Sequence, residues 1–249
     1  MTSRVAIVTG AGRGIGRSLV ARLAGDGLRV IAAGRDLAAL ERAAAEVEGD
    51  VEGIRCDVTD EADVAQLFEV AGEVDVLINN AGTSSSAALE RTTLTDWRQQ
   101  LEVNATGPFL CTRAAIPGMM ARDHGRIITV ASTAGRIGSR YTAAYAASKH
   151  AALGLMRVAA AEVAGTGVTS NAVCPSFVDT EMTERSVVRI AEATGRSEND
   201  SRRALEAATP LGRLLETDEV AAAVAFLASE GAGAVNGQAL VIDGGGVQA

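Results

Sequence analysis

A tyrosine and a lysine stand four residues apart in the alanine-rich stretch Tyr145-Ala-Ala-Ser-Lys149. Residues at that spacing share one face of an α-helix, so the phenol and the ammonium would lie side by side. A phenol titrates near ~10, and its use as an acid or base at neutral pH requires stabilisation of its anion. Lowering its pKa by about three units takes roughly 4 kcal/mol, of which a neighbouring ammonium supplies part. The pair therefore predicts transfer of a proton to or from an oxygen.

The lysine of this pair is the only lysine in the chain. Lysine and arginine together number 23, and all the others are arginine. A general preference for arginine accounts for the missing lysines, but it does not account for the one retained at position 149. A compact ammonium directs three donors at different acceptors, whereas a planar guanidinium suits that task less well. The composition thus favours a specific role for Lys149.

A glycine-rich loop near the beginning of the chain predicts a phosphate site. It reads Thr9-Gly10-Ala11-Gly12-Arg13-Gly14-Ile15-Gly16 and connects the first predicted strand to the first predicted helix. Glycines let the backbone turn tightly and approach a pyrophosphate, and the N-terminus of the helix offers free N–H groups to it. Glycines also make ordinary turns, but the position between a strand and a helix favours the nucleotide site.

The elements that must position these residues alternate between short β-branched runs and longer helical patterns. Strands in which apolar residues follow one another, separated by helices, indicate a parallel sheet covered on both faces, and right-handed crossovers make it doubly wound. The fold class is therefore α/β, with a single seven-stranded sheet. Strands are predicted at residues 4–9, 29–33, 51–56, 74–78, 126–131, 168–173 and 239–242. Helices are predicted at residues 14–24, 37–47, 61–71, 94–122 (bent near Gly107-Pro108), 145–163 and 216–227.

The whole chain, residues 1–249, is predicted to form one domain, because no repeat, linker or break in composition divides it. Residues 181–212 do not fit the alternating pattern. They are polar, with charges clustered at 196–203, and they lie between the sixth strand and the last helix. Ligands bind at the carboxyl ends of strands in open α/β sheets, so this segment is a candidate for a mobile substrate lid.

Composition excludes several other classes of function. A formal net charge of −8 argues against a nucleic-acid partner or an anionic membrane surface. No apolar stretch approaches the ~18–20 residues of a membrane span, and no signal peptide is recognised, so we expect a cytoplasmic protein. Three cysteines, Cys56, Cys111 and Cys174, lie far apart in apolar surroundings and are expected to be reduced. The two histidines are too few for a histidine-rich metal site, and no metal is expected.

Further short motifs occur in a fixed order along the chain. They are Asp57-Val58 after the third strand, Asn79-Asn80-Ala81-Gly82 after the fourth, Ser132 after the fifth, Cys174-Pro175-Ser176-Phe177-Val178-Asp179-Thr180 after the sixth, and Asp243-Gly244-Gly245 at the end. With the glycine loop and Tyr-x-x-x-Lys, this order resembles the short-chain dehydrogenase/reductase family over essentially the whole chain. The resemblance implies a Rossmann fold and transfer of a hydride between a nicotinamide and a ketone or secondary alcohol.

The resemblance also implies a role for each motif. Tyr145 would exchange the proton, Ser132 would hold the substrate oxygen, Lys149 would bind the nicotinamide ribose, and Asn104 would help to position a water that links Lys149 to solvent. Cofactor contacts are implied for Gly10, Gly12, Arg13, Gly14, Ile15, Gly16, Arg35, Asp57, Val58, Asn80, Ala81, Gly82, Tyr145, Lys149, Pro175, Val178 and Thr180. Tyr141, which has no lysine four residues later, is interpreted as lining the substrate pocket.

The choice between the two nicotinamide cofactors depends on the end of the second strand. NAD-dependent members carry an acid there, whereas this chain has Gly34 followed by Arg35. An arginine suits a 2′-phosphate, and Arg13 could add a second charge, so NADP(H) is favoured over NAD(H). NAD(H) stays open as the alternative, because both arginines could be ordinary solvated surface residues. The acid Asp36 also lies nearby.

The stretch from Asn171 to Met182 and Ser132 with its neighbours resemble 3-oxoacyl carrier-protein reductases and polyketide ketoreductases, which suggests a β-keto thioester or polyketide-like substrate. A catalytically silent dinucleotide-binding regulatory or scaffold protein is the alternative, since a fold does not fix a function. The helical stretches 101–120 and 146–163 carry small and apolar residues on several faces, so a homotetramer or a homodimer is expected. One departure from the family is Ser176, which stands where glycine is usual and would be strained if φ were positive.

Overall fold

Seven parallel strands form one sheet in the order β3-β2-β1-β4-β5-β6-β7. The computed structural model describes residues 3–248. The order reverses between β1 and β4, and that reversal opens a crevice at the carboxyl ends of the two strands. The strands are β1 Val5–Thr9, β2 Arg29–Gly34, β3 Val51–Arg55, β4 Val76–Asn79, β5 Gly125–Val130, β6 Val168–Pro175 and β7 Ala239–Ile242. The predicted fold class is confirmed, and every strand lies within two residues of its predicted bounds.

Helices cover both faces of the sheet because alternate residues of each strand point to opposite sides. On one face, Val8 and Val30 pack against α1 and α9; on the other, Ile7 and Leu77 pack against α3 and α5. The two apolar clusters lie on opposite faces of the sheet. The helices are α1 Gly14–Gly25, α2 Leu37–Ala45, α3 Glu61–Ala71, α4 Leu94–Leu101, α5 Gly107–Ala121, α6 Ala143–Glu162, α7 Glu181–Thr194, α8 Glu198–Ala207 and α9 Thr217–Ala228.

The predicted bend of the long helix at residues 94–122 lies earlier than Gly107-Pro108. α4 and α5 are joined by a π-helical turn at Glu102–Thr106, and Pro108 lies in the first turn of α5. Pro108 has no N–H to donate to the preceding turn, and it directly follows the wider π-helical turn. The wider turn contains Asn104, in keeping with the frequent occurrence of π-bulges at functional sites.

Residues 181–212, for which no helix was predicted, contain α7 and α8. Thr180 and Ser197 cap the two helices, and Gly195 ends α7 with a left-handed φ of 71°. Few apolar residues of the segment face inward. Val187, Ile190 and Leu205 form a separate small cluster with Leu214, which follows the segment. The segment therefore forms two capped amphipathic helices. They were not predicted, because their short apolar stripes give a weak pattern in the sequence. Their role as a lid stays a prediction.

The three cysteines are free and buried. Burial, aided by nearby acidic residues, raises the pKa of Cys56 to about 12, and burial raises that of Cys111 to about 12 as well. Such thiols are poor nucleophiles. Between residues 3 and 248, no helix is long and apolar enough to cross a membrane. Within the same residues, no group of three or more His, Cys, Asp or Glu side chains is placed to hold a metal ion.

Candidate active site

The candidate site lies along the edge of the sheet where β1, β4, β5 and β6 end. Because the strands are parallel, the loops after Thr9, Asn79, Val130 and Pro175 emerge at the same edge. Every motif singled out in the sequence lies in one of these loops, at the end of β3 or β7, or on the adjoining helices. The topology alone therefore brings together residues as far apart in the chain as Thr9 and Pro175.

The glycine loop between β1 and α1 is tight enough that side chains would not fit. Gly10 and Gly14 have φ of 65° and 52°, values that favour glycine. A Cβ at Gly16 would overlap the Gly10 carbonyl oxygen, and one at Gly10 would lie 2.8 Å from the Ala81 Cα. The glycines thus bring the backbone against the loop after β4 and leave the N-terminus of α1 open.

That helix end fits a bound pyrophosphate. The residue that precedes α1, Arg13, has an extended backbone and makes no side-chain hydrogen bond to the first turn. By contrast, Asp36 caps α2 and Asp60 caps α3 through their carboxylates. The first N–H groups of α1 are therefore not capped by their own N-cap side chain, as an anion-binding helix end requires. Ile15 packs against the core and anchors the turn.

Two polar residues tie the glycine loop to the loop after β4. The Thr9 hydroxyl accepts the N–H groups of Asn80 and Ala81, both at 3.0 Å, and donates to the Ile78 carbonyl at 3.2 Å. The Asn80 side-chain amide donates to the Thr9 and Gly10 carbonyls at 2.8 and 3.2 Å. Asn80 was predicted to contact the cofactor, whereas the anchoring role of Thr9 was missed, since its partners lie far along the chain.

The loop after β6 closes the site on the other side. Pro175 ends β6, Val178 is buried, and Thr180 begins α7. A Cβ at Gly14 would lie 3.3 Å from the Thr180 methyl group, so this loop and the glycine loop are in contact. Among residues 3–248, Asp123 and Tyr141 are the non-glycine residues with positive φ, so Ser176 carries no such strain. Its hydroxyl is buried without a hydrogen-bond partner.

Asp57 and Val58, the two residues predicted to contact the adenine of the cofactor, have different surroundings. The Asp57 carboxylate accepts the N–H and the hydroxyl of Thr59 at 3.0 and 2.8 Å. Burial alone would raise its pKa, but those hydrogen bonds and the nearby Arg35 and Arg55 hold the pKa below its usual range. Val58 is buried, and a Cβ at Gly107 would lie 2.8 Å from its methyl group. The Val58 side chain is thus part of the core, and Asp57 lies at the edge of the crevice.

The two arginines predicted to bind the 2′-phosphate of the cofactor are exposed. Arg13 pairs with Glu181 of α7 at 3.6 Å, with both side chains about 65% exposed. Arg35 directly follows β2 and makes no ion pair within residues 3–248. Asp36, the acid that obscured the choice of cofactor, accepts the Ala39 N–H at 3.1 Å as the cap of α2.

Lys149 lies in the centre of the candidate active site. Its side chain is 5% exposed, and its ammonium donates to the Val130 carbonyl at 2.9 Å and lies 5.9 Å from the centre of the Tyr145 ring. A Cβ at Gly82 would lie 3.6 Å from Nζ, so the loop after β4 passes close to the ammonium. Burial lowers the pKa of Lys149 from 10.5 to about 8, while Cys174 acts in the opposite direction.

Because the chain has one lysine, this pKa can be measured without mutation. In protein labelled with ¹³C at the lysine ε carbon, we expect a single side-chain resonance that titrates near 8 in the absence of cofactor. The unfolded chain binds that proton up to ~10.4, so between these values the group's contribution favours folding more as the pH rises. A titration near 10.5 would contradict the buried position. The urea-unfolded protein is the control and should titrate near ~10.4.

Tyr145 lies in the first turn of α6, whose observed start, Ala143, comes before the predicted one. Burial raises the pKa of its phenol, and the nearby Ser132 side chain acts in the opposite direction. The expected lowering by Lys149 does not outweigh burial, and the phenol pKa lies above its usual value. The phenol is therefore protonated at neutral pH, which is the state required of a proton donor.

Asn104 holds the loop after β4 against α6. Its side chain accepts the Thr83 N–H at 2.9 Å and donates to the Thr83 carbonyl and to the Ser148 hydroxyl, both at 2.9 Å. Ser148 in turn donates to the Tyr145 carbonyl at 2.8 Å. Asn104 is thus a positioning residue in this structure, and its predicted contact with a water stays a prediction. Thr83 and Ser148 were missed because their positions carry no distinctive sequence pattern.

This fold, with a glycine-rich loop after β1 and a Tyr-x-x-x-Lys pair on α6, is typical of a class of dinucleotide-binding α/β oxidoreductases. The family model described as short chain dehydrogenase matches residues 4–189. The chain belongs to the short-chain dehydrogenase/reductase family. It is an NAD(P)-dependent oxidoreductase that acts on ketones, and the relatives described below give no support for a silent scaffold.

Among similar proteins, "Granaticin polyketide synthase putative ketoacyl reductase 1" of Streptomyces violaceoruber is 41% identical over 97% of this chain and 92% of its own. The 3-oxoacyl-[acyl-carrier-protein] reductase FabG of Escherichia coli is 36% identical over 97% and 96% of the two chains. A crystal structure of a point variant of actinorhodin polyketide ketoreductase with NADPH superposes with a TM-score of 0.94 at 36% identity, covering 98% of this chain and 97% of that one.

Proposed function

We propose that the protein is an NADP(H)-dependent ketoreductase that reduces a β-keto thioester or a polyketide-like ketone. The observation that carries this is the assembly of Asn104, Ser132, Tyr145 and Lys149 at the crevice, with the phenol protonated and the ammonium buried. The three relatives above, each named as a ketoreductase, a ketoacyl reductase or an oxoacyl reductase, support the direction of reduction and the class of substrate.

In this proposal the bound reduced nicotinamide supplies a hydride to the carbonyl carbon. Tyr145 donates its phenolic proton to the carbonyl oxygen, so that the C–O double bond becomes the C–OH of the alcohol. The Ser132 hydroxyl binds the same oxygen and fixes its direction. A raised phenol pKa keeps the donor protonated in the ground state, which is the form required for reduction.

Lys149 and Asn104 do not donate the proton themselves. They stabilise and position the groups that take part in its transfer. One donor of the Lys149 ammonium is held by the Val130 carbonyl, which leaves two for the ribose hydroxyls of the nicotinamide. The ammonium also stabilises the phenolate that remains after proton transfer, since an opposite charge nearby favours the ionised form. Asn104 fixes the Thr83 backbone and Ser148, and thereby the distance between the loop after β4 and α6.

The preference for NADP(H) depends chiefly on Arg35. It is an exposed guanidinium without an ion-pair partner in residues 3–248, at the end of β2, and it is near enough to Asp57 to lower that carboxyl's pKa. A 2′-phosphate bound there would pair with it, while Asp36 is engaged in capping α2. Arg13, paired with Glu181, supplies a second charge at the helix end.

We expect Arg35→Ala to weaken NADPH binding by about tenfold and to leave NADH binding within about twofold, because a charge-assisted hydrogen bond contributes roughly 1.5–3 kcal/mol. Dissociation constants measured by nicotinamide fluorescence check this. Arg22→Ala, on the far end of α1, is the control for loss of an exposed arginine. Equal losses for both cofactors, or a tighter complex of the wild type with NADH, would overturn the assignment.

The experiment for the function itself follows NADPH oxidation with the N-acetylcysteamine thioester of acetoacetate, beside a panel of simple aliphatic, cyclic and steroid ketones. A kcat/KM for the thioester at least about tenfold above the panel, a difference of about 1.4 kcal/mol in transition-state binding, supports the proposed substrate class. Faster turnover of another ketone would support the proposed reaction but would assign a different class of substrate. No consumption with any ketone, although NADPH binds, would favour the silent dinucleotide-binding protein.

A homotetramer or homodimer and a cytoplasmic location complete the proposal. Phe109 on α5 and Val158 on α6 are 44% and 55% exposed, which is consistent with a helical face that packs against a second copy. The two helices contact each other, so these apolar side chains belong to neighbouring elements of the fold.

A further inference from the structure

Tyr141 has a backbone conformation that its residue type disfavours. Its φ is 69°, in the left-handed region that favours glycine. The other non-glycine residue with positive φ in residues 3–248 is Asp123, and a short polar side chain tolerates that region well. An aromatic residue there is an outlier, and such outliers concentrate at functional sites.

The surrounding backbone holds Tyr141 in this conformation. Its carbonyl accepts the Ala87 N–H at 2.9 Å, and the next residue, Thr142, forms an isolated parallel bridge with Ala87. The Thr142 hydroxyl donates to the Ser139 carbonyl at 2.8 Å. The segment before α6 is thus fixed to the loop after β4, the same loop that Asn104 holds at Thr83.

The turn alone does not explain a tyrosine at this position. Glycine adopts the same φ without a steric penalty and would keep both backbone contacts. Burial does not compensate either, because the Tyr141 side chain is 55% exposed. The reason for the residue must therefore lie in its ring.

The ring lies at a rim formed by the loop after β4 and the first residues of α6, the helix that carries Tyr145. It lines a cavity of about 50 Å³ with Ser85, Ser86 and Ala144, and Ala144 directly precedes Tyr145. The Arg140 guanidinium covers the ring at 5.3 Å from its centre, and the exposed fraction leaves the rest of its surface open. Arg189 of α7 donates to the Ser86 hydroxyl at 3.1 Å, so the proposed lid reaches the same rim.

We propose that Tyr141 is a specificity-determining residue: its ring is a fixed platform on which a planar aromatic group attached to the substrate carbonyl stacks. This rests on the proposed ketoreductase function and names a subclass of its substrates, aryl ketones. Stacked aromatic pairs contribute enough beyond simple burial to change affinity about three- to tenfold. A ring that is already fixed by its backbone and by Arg140 loses little freedom when a ligand binds.

The test compares ethyl benzoylacetate with ethyl acetoacetate, which differ by a phenyl against a methyl group on the ketone carbon. In Tyr141→Gly and Tyr141→Asn, which both suit a positive φ, we expect kcat/KM for the benzoyl ester to fall about three- to tenfold relative to the acetyl ester. The melting temperature of both variants should equal or exceed that of the wild type. Phe226→Ala removes a similarly exposed aromatic ring near the C-terminal end of α9 and should leave the ratio unchanged.

Equilibrium binding separates this proposal from the proposed function. Ligand-observed NMR with the NADP⁺-loaded protein measures binding of both esters whether or not they are reduced. Preferential binding of the benzoyl ester that is lost in both variants supports the platform even if no ester is turned over. If both variants keep the wild-type ratio of affinities for the two esters, the platform is overturned. An equal fall of kcat for both esters also overturns it, because that result would show that Tyr141 merely positions Tyr145.

Discussion

Tyr145→Phe is expected to lower kcat for ketone reduction by about 10²- to 10⁴-fold, the range that a positioned general acid contributes. The substitution removes one hydroxyl and keeps the ring that packs at the start of α6. No other phenol can replace it, because the chain's second tyrosine, Tyr141, is exposed at the rim and has no lysine four residues later. Steady-state NADPH oxidation with ethyl acetoacetate measures the loss.

Binding of NADPH should survive this change, since the phenol exchanges a proton with the substrate and Lys149 retains its bond to Val130. Fluorescence titration should give a dissociation constant within about twofold of the wild type. The melting temperature should fall by no more than a few degrees, since one hydrogen bond contributes about 0.5–1.5 kcal/mol. Substantial remaining activity would exclude Tyr145 as the acid. A parallel loss of NADPH binding would instead indicate a structural role.

Lys149→Arg is the second large effect, and it keeps the charge. The ammonium occupies a pocket in which the side chain is 5% exposed, between the Val130 carbonyl and the Gly82 backbone. A planar guanidinium is larger and directs its donors in a fixed fork, so it cannot reach the same acceptors without moving the loop after β4. A displacement of about 1 Å in an active site can cost about 10²-fold, and we expect kcat/KM to fall by at least that much.

The matched control lies on the same helix. Arg157→Lys makes the reverse exchange on the exposed side of α6, and it should leave both activity and stability unchanged. The Lys149→Arg protein should still fold, with a circular dichroism spectrum like that of the wild type. If that folded variant were fully active, the ammonium at position 149 would have no special role.

The sheet and most helices were predictable because their signals are local. Most strands are runs of largely apolar residues, and helices such as α3 carry an apolar stripe after a capping residue, Asp60. α7 and α8 were missed, since most of their residues face solvent and their apolar stripe covers only Val187, Leu205 and two neighbours. The π-helical turn at Asn104 was also missed, because it depends on packing of α4 and α5 against the rest of the fold.

The sequence by itself determined which groups are candidates for the chemistry. The spacing of Tyr145 and Lys149 places them on one helix face, and the glycines at 10, 14 and 16 predict a phosphate loop, since both depend on neighbours a few residues away. Only the tertiary structure decided how these groups are held. Thr9 joins Asn80, Asn104 joins Thr83 and Ser148, and Ala87 fixes Tyr141 with positive φ. Such pairings join distant parts of the chain, and hydrogen bonds between them exist only after the parallel strands bring their carboxyl ends to one edge.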